Sequence, residues 1–192
     1  MEKPAEDYGE RFQRKSAPSD YPRTTPPGFS RYNVAVAFLI RDSRPEEFET
    51  LWRIDQECFP PGIAYSQQEL RVYMRRRTSF TLVAARRADR GISGFIVACS
   101  GVTGHIITID VIPEVRRSGL GSLLLRAAED RLRVAGSQTV SLETAVDNTG
   151  ALSFYKRHGY SVVGTYPRYY SNGVDALVLQ KELAIVSLGK TV

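Results

Sequence analysis

Residues 108–125 combine a β-branched strand, a basic glycine-containing turn and an apolar-periodic helix without any intervening linker. The first amides of a helix have no partner within the helix and carry the positive end of its dipole. Gly119 and Gly121 remove the Cβ atoms that would keep an anion away from those amides, and Arg116 and Arg117 add positive charge. The segment therefore predicts a fold that mixes strands and helices and carries a phosphate-binding turn.

The turn contains neither of the two commonest nucleotide-binding loops. No G-x-x-x-x-G-K-[ST] run and no G-x-G-x-x-G run occurs in the chain. What stands in the turn is Arg116-x-x-Gly119-x-Gly121. On these six residues alone, an ordinary strand-to-helix connection whose glycines only permit the bend is an equally good interpretation, so a second segment has to decide.

The segment 139–160 has a second strand-to-helix arrangement. Residues 139–144 are predicted to form a strand, and a short helix is predicted to end near residue 158. Asn148 is a suitable N-cap and Gly159 a suitable C′ residue for that helix. One helical stripe contains Ala151, Leu152, Tyr155 and His158.

The spacing Arg116-x-x-Gly119-x-Gly121 resembles the acyl-CoA pyrophosphate loop of the GNAT superfamily of N-acyltransferases. The second segment resembles the closing half of that family's cofactor site through Leu142-Glu143, Asn148, Ala151, Phe154-Tyr155 and Gly159-Tyr160. The resemblance covers residues 33–182. It implies a mixed α/β fold, the GNAT fold, in which a mostly antiparallel, splayed sheet of about seven strands is flanked by about four helices.

Hydrophobic periodicity gives the element order β-α-α-β-β-β-α-β-α-β-β. Asp42 or Ser43 is expected to cap the first helix, which has Pro45 in its first turn, and Ser66 is expected to open the second helix with a capping box. The second helix is predicted to reach about residue 77 and the third to cover 121–134. The other strands are predicted at 33–40, 80–86, 92–99, 105–112, 161–165 and 176–182.

Composition divides the chain into three parts. Residues 1–31 are rich in proline and poor in aliphatic side chains, which predicts a flexible N-terminal arm. Residues 32–183 are interpreted as one acetyltransferase domain, and residues 184–192 as a short C-terminal tail. No apolar run is long enough to span a bilayer and the first residues are polar, so a cytoplasmic protein without a membrane partner is expected.

The chain has a formal net charge of +5 and an isoelectric point near 9.3. Its arginines are scattered and form no aromatic-basic motif of a known nucleic-acid module, so no nucleic-acid partner is expected. Cys58 and Cys99 are separated and lie in apolar contexts, which indicates buried free thiols. With only His105 and His158 besides, no metal site is expected.

The resemblance implies acetyl-CoA as cofactor, with its pantetheine arm between the strand that ends at Ile112 and the strand that ends at Thr144. A backbone N–H near Asp110 or Val111 is then the expected oxyanion donor. Cofactor contacts are expected from Asp110, Val111, Ile112, Arg116, Arg117, Ser118, Gly119, Leu120, Gly121, Ser122, Asn148 and Tyr155.

Three side chains are candidates for proton transfer. Tyr155 matches the family tyrosine that stands near the thioester sulfur, which implies a general acid, although an aromatic residue on a short helix can also be core packing. Glu143 is a candidate base if it emerges into a cleft, and an outward-facing strand residue otherwise. His105 is either a second base or a strand-end residue.

Within the superfamily, the chain most resembles protein N-terminal α-amino acetyltransferases of the ribosomal-protein-alanine branch. The resemblance implies a protein or peptide N-terminus as acceptor, contacted by Tyr65, Tyr169 and Tyr170, which could alternatively just cover the sheet. Acetylation of lysine or of a small amine, and a non-catalytic acyl-CoA-binding domain, are the competing interpretations. A monomer or weak homodimer is expected.

Overall fold

The protein forms a seven-stranded sheet with two helices on each face. The computed structural model describes residues 37–59, 64–170 and 173–183. Within these residues the strands are β1 Phe38–Asp42, β2 Ser79–Arg86, β3 Ile92–Cys99, β4 Thr103–Val111, β5 Thr139–Ala145, β6 Ser161–Tyr166 and β7 Ala176–Glu182. The α-helices are α1 Phe48–Cys58, α2 Gln67–Arg75, α3 Leu120–Val134 and α4 Thr149–Arg157.

The strand order across the sheet is β1-β2-β3-β4-β5-β7-β6. Every neighbouring pair is antiparallel except β4 and β5, which are parallel. The predicted element order and the mostly antiparallel sheet are confirmed. Of the predicted first strand, residues 33–36 lie outside the described residues, as do the predicted arm 1–31 and tail 184–192.

The helices on the two faces bury separate hydrophobic clusters. On one face, α3 and α4 cover a cluster that includes Leu124, Leu132 and Tyr155. On the other, α1 and α2 cover a cluster that includes Leu51 and Leu70. Because burial of one leucine side chain contributes about 1.5–3 kcal/mol, these two layers hold the sheet between them.

The helix starts are mostly those that the sequence predicts. The capping box at Ser66 is present, with Ser66 N donating to Glu69 Oε2 at 2.9 Å, although α2 ends two residues earlier than predicted. The prediction for the first helix was wrong. Ser43 N donates to Thr81 O of the neighbouring strand and so stays extended, and Arg44 instead caps a 3-10 turn, Pro45–Glu47, that leads into α1.

A buried polar cluster joins α3 to Tyr160, the residue before β6, and to β7. Glu129 accepts a hydrogen bond from Tyr160 Oη at 3.0 Å and one from Lys181 Nζ at 2.6 Å. Burial and the adjacent Glu129 carboxylate raise the pKa of Tyr160, so its hydroxyl remains a donor. The cluster satisfies a carboxylate that would otherwise be buried at high cost.

Both cysteines are free and buried, as predicted. No helix of the described residues has the length and apolar character needed to span a membrane.

Candidate active site

The sheet divides at the β4–β5 pair. Pairing between these parallel strands joins residues 103–105 to residues 139–141. Beyond this point β4 continues beside β3, while β5 continues beside β7. The two strands therefore leave a fork between their C-terminal halves, which confirms the predicted splayed sheet. The N-termini of α3 and α4 follow these two strands, so the positive ends of both helix dipoles lie at the open end of the fork.

Main-chain groups of Val111 point into the fork. Ile112 N donates to Ser93 O of β3 at 3.0 Å. Because alternate residues of an antiparallel strand face the same neighbour, Asp110 also directs its N–H and C=O towards β3, whereas Val111 directs them towards β5. Of the two positions that the sequence offers for an oxyanion donor, the geometry favours Val111.

The carbonyl oxygen of Val111 is held by two side chains. Arg116 Nε donates to it at 2.8 Å and Cys58 Sγ donates at 3.3 Å. Burial, together with the nearby Asp110 carboxylate, raises the pKa of the Cys58 thiol to about 12, so it stays a protonated donor. Arg116 thus ties the turn to the end of β4.

The turn after β4 has the backbone geometry of an anion cradle. Arg117 and Gly119 adopt left-handed conformations, with φ of 65° and 103°, and Ser118 between them is buried. Such alternation turns successive N–H groups towards one point. The hydrogen bonds of the described residues include no acceptor for the amides of Gly119, Gly121 and Ser122.

Packing within the protein does not explain the glycine at position 121. A Cβ atom built on Gly121 would meet the Phe154 ring at 3.6 Å, which is an ordinary van der Waals contact. A ligand that approaches the amide of Gly121 is a better reason for a missing side chain. Donor amides, adjacent arginines and this open position fit the diphosphate of coenzyme A.

His105 and Glu143 meet at the closed end of the fork. His105 Nε2 lies 3.2 Å from Glu143 Oε2, and the two side chains are 29% and 18% exposed. Glu143 and Ser141 face one side of β5, whereas Val140 and Leu142 are buried on the other. Glu143 is therefore neither in the core nor fully exposed, and its carboxylate can reach a group that enters the fork.

Tyr155 lies on the opposite face of the sheet. It belongs to the cluster beneath α3 and α4, with its ring 5.2 Å from that of Phe154 and 5.4 Å from that of Tyr160. Asn148 caps the same helix, and its Oδ1 accepts from Ala151 N at 3.0 Å. The candidate acid and the candidate bases therefore lie on opposite faces of the sheet, and the fork is the opening between them.

Tyr65, shortly before α2, is anchored to α1. Tyr65 N donates to Asp55 Oδ2 at 2.6 Å, and Tyr65 O accepts from Trp52 Nε1 at 3.1 Å and from Gln56 Nε2 at 2.8 Å. The Tyr65 ring packs 5.2 Å from that of Tyr73. Helix α1 thereby fixes Tyr65 on the face of the sheet that carries Glu143.

Tyr169 and Tyr170 belong to a separate small cluster. Tyr170 is buried with Ala145 and Ala176, and the ring of Tyr169 lies edge-on to it at 5.2 Å. Ala145 is the last residue of β5, which places this cluster beside the open end of the fork.

The structure brings most predicted residues to the fork or the cradle. Asp110 is only 1% exposed, its carboxylate accepts from Thr108 Oγ1 at 3.0 Å, and its backbone groups face β3, so its position favours a structural role in β4 over the predicted cofactor contact. Leu120 is a buried core residue. Sequence reasoning did not assign roles to Ser141 or Cys58. The i, i+2 spacing of Ser141 and Glu143 in one strand was a signal that could have identified Ser141. The contact of Cys58 with Val111 joins residues 53 apart, so the local sequence gives no signal for it.

Solved structures with this architecture include an N-acetyltransferase. The ribosomal-protein-S18-alanine N-acetyltransferase from Escherichia coli aligns with a TM-score of 0.69 over 79% of this chain and 97% of its own, at 18% identity. Ard1 from Thermoplasma volcanium aligns with a TM-score of 0.69 over 77% of this chain and 98% of its own, at 27% identity. The forked sheet and its turn define an N-acetyltransferase fold.

The chain belongs to the acetyltransferase (GNAT) family, whose sequence profile matches residues 48–160. N-alpha-acetyltransferase 30 of Schizosaccharomyces pombe is 35% identical over 117 residues, which cover 58% of this chain and 77% of that protein. The predicted family and its enzymatic class are thereby confirmed.

Proposed function

We propose that this protein transfers the acetyl group of acetyl-CoA to the N-terminal α-amino group of a protein or peptide, by direct attack in a ternary complex. The observation that carries the proposal is the His105–Glu143 pair at the closed end of the fork, on the face opposite Tyr155. The similarity to a relative named N-alpha-acetyltransferase supports the same class of acceptor.

The cradle would hold the cofactor by its diphosphate. The amides of Gly119, Gly121 and Ser122 are the donors, and the exposed Arg117 side chain adds a positive charge beside them. Bound acetyl-CoA supplies the acetyl group as an activated thioester. Asn148, at the start of α4, is a further candidate contact on the other side of the fork.

Proton transfer is divided between the two faces of the sheet. Glu143, supported by His105, takes the proton of the incoming amine, directly or through one water. The Val111 amide donates to the acyl oxygen as charge develops there. Tyr155 gives its hydroxyl proton to the departing sulfur, so that a C–N bond replaces the C–S bond and both protons are accounted for.

The choice of an α-amino group follows from acidity and from the aromatic contacts. An α-amino group has a pKa near 7.7–8.0 and a lysine near 10.4, so neutralising lysine at pH 7 costs about 3–4 kcal/mol more. A single carboxylate base is therefore better suited to deprotonating an α-amino group than to deprotonating a lysine. Tyr65, Tyr169 and Tyr170 combine rigid rings with hydroxyl groups that can bind a peptide main chain.

Acetyl-CoA consumption with paired peptides tests the proposal. Each peptide is supplied with a free and with a blocked N-terminus, and each pair is made with and without an internal lysine. We expect turnover only with free N-termini, whether or not lysine is present. If N-blocked peptides that contain lysine are acetylated and lysine-free peptides with a free N-terminus are not, the protein is a lysine acetyltransferase and the proposal is wrong. Turnover with small amines alone would contradict a peptide acceptor.

A further inference from the structure

Ser141 completes a chain of three polar side chains beside the fork. Ser141 Oγ lies 3.2 Å from His105 Nδ1, and His105 Nε2 lies 3.2 Å from Glu143 Oε2. His105 and Ser141 are directly paired across β4 and β5, at the end of the pairing before the strands separate. Both nitrogens of the imidazole are therefore engaged on the face of the sheet where the amine is expected.

The hydrogen-bonding capacity of each group determines which atom carries the proton. An ionised carboxylate only accepts, so the nitrogen facing Glu143 must carry a hydrogen. A neutral imidazole has one N–H, which leaves a lone pair on Nδ1. The hydroxyl of Ser141 is then the donor to Nδ1.

We propose that Ser141 is a positioning residue, which acts through His105 to orient the Glu143 carboxylate towards the acceptor amine. This inference rests on the proposed function, because it assumes that Glu143 takes the proton. Without the serine hydroxyl, the imidazole can rotate about its Cβ–Cγ bond and place carbon atoms where the nitrogens stand. Glu143 then loses its partner and its fixed orientation.

A pair of isosteric variants isolates the hydroxyl. Ser141→Thr and Ser141→Val both place a β-branched side chain in a strand, where such residues are favoured, and they differ only in the hydroxyl. Because one hydrogen bond is involved, we expect kcat of Ser141→Val to fall about three- to tenfold, with KM for both substrates unchanged. Ser141→Thr should restore most of that loss.

The same valine substitution in a His105→Gln background tests the route of the effect. If Ser141 acts through His105, the valine substitution costs nothing further once the imidazole is gone. A loss of equal size in both backgrounds would overturn the proposal, because Ser141 would then act on something else.

Nitrogen NMR of the resting protein gives a readout that does not depend on turnover. With ¹⁵N-labelled histidine, we expect His105 to be the Nε2–H tautomer, with an Nδ1 resonance that shifts in Ser141→Val and not in Ser141→Thr. An Nδ1 resonance insensitive to both variants would overturn the inference. If the wild type is active and the Ser141→Val variant has the same kcat, this inference alone is overturned. A wild-type protein that is inactive with every amine would overturn the proposed function and this inference with it.

Discussion

Val111 is the residue at which the cradle and the fork meet. Its amide faces the fork, and its carbonyl oxygen is held by Arg116 from the turn and by Cys58 from α1. The peptide group between Val111 and Ile112 is further fixed by the bond from Ile112 N to Ser93 O. A strand end held at these points can present one amide in a constant direction, which is what electrostatic stabilisation of a developing charge requires.

The Cys58 thiol should be unreactive in the folded protein. With a pKa of about 12, the thiolate fraction at pH 8 is about one in ten thousand, compared with about one in four for an ordinary cysteine. We expect iodoacetamide at pH 8 to modify Cys58 only after urea is added, as measured by peptide mass spectrometry. Unfolding returns the thiol to its ordinary pKa, so above about pH 9 the unfolded chain loses this proton while the folded protein keeps it. The contribution of the buried Cys58 thiol to the free energy of unfolding is therefore present below about pH 9 and is lost as the pH rises towards 12. Rapid modification without urea would contradict the buried contact.

Glu143→Gln and Tyr155→Phe should each lower kcat by about 10- to 10⁴-fold if both groups transfer protons. Phenylalanine keeps the ring contacts of Tyr155 with Phe154 and Tyr160, so stability should change little. Glu182→Gln, at an exposed end of β7, is the matched control for loss of a carboxylate. Steady-state kinetics with a free-N-terminal peptide provide the measurement. Unchanged kcat in both variants would remove the proposed proton-transfer roles.

At the scale of elements, the sequence predicts local structure better than long-range contacts. Periodicity and capping residues give the order of helices and strands, because those signals lie within a few residues of each other. The contact of Glu129 with Lys181 joins residues 52 apart, and that of His105 with Ser141 joins residues 36 apart. Such contacts depend on which strands become neighbours. The sequence therefore identifies His105 and Glu143 as candidate bases but does not predict that they contact each other.

The close approach of β3 to the end of β4 requires glycine at position 94. A Cβ atom there would lie 2.6 Å from Asp110 O and 3.3 Å from Val111 Cα, both of which are backbone atoms. We expect Gly94→Ala to lower the free energy of unfolding by about 1–3 kcal/mol, measured by urea denaturation.

The control is Gly164→Ala on β6, where the new Cβ would meet Val178 at an ordinary 3.8 Å. That substitution should leave stability unchanged or raise it by up to about 1 kcal/mol, because alanine has fewer unfolded conformations than glycine. Equal effects at the two positions would contradict the close packing at the end of β4.

Over the whole molecule, the sheet separates the proposed acid from the proposed bases. The cradle and Tyr155 are associated with the α3–α4 face and the open end of the fork, whereas Glu143, His105 and the anchored Tyr65 lie on the α1–α2 face. The fork is the place where groups from both faces can meet. A net charge of +5 suits a ligand that carries several phosphates, since it favours encounter with an anion.

We propose that the diphosphate of coenzyme A binds at the turn that ends at Gly121. Gly121→Asp tests it, because the side chain has room and a carboxylate near the start of a helix is favourable for folding but repels a phosphate. Gln68→Asp adds the same charge at the corresponding position of α2, far along the chain from the cradle.

Isothermal titration of coenzyme A into the three folded proteins is the most direct measurement. We expect saturable binding by the wild type and by Gln68→Asp, and an affinity at least about 100-fold lower for Gly121→Asp, which corresponds to about 2.7 kcal/mol. A folded wild type that does not bind coenzyme A, or a Gly121→Asp variant that binds as tightly as the wild type, would rule out this turn as the diphosphate site.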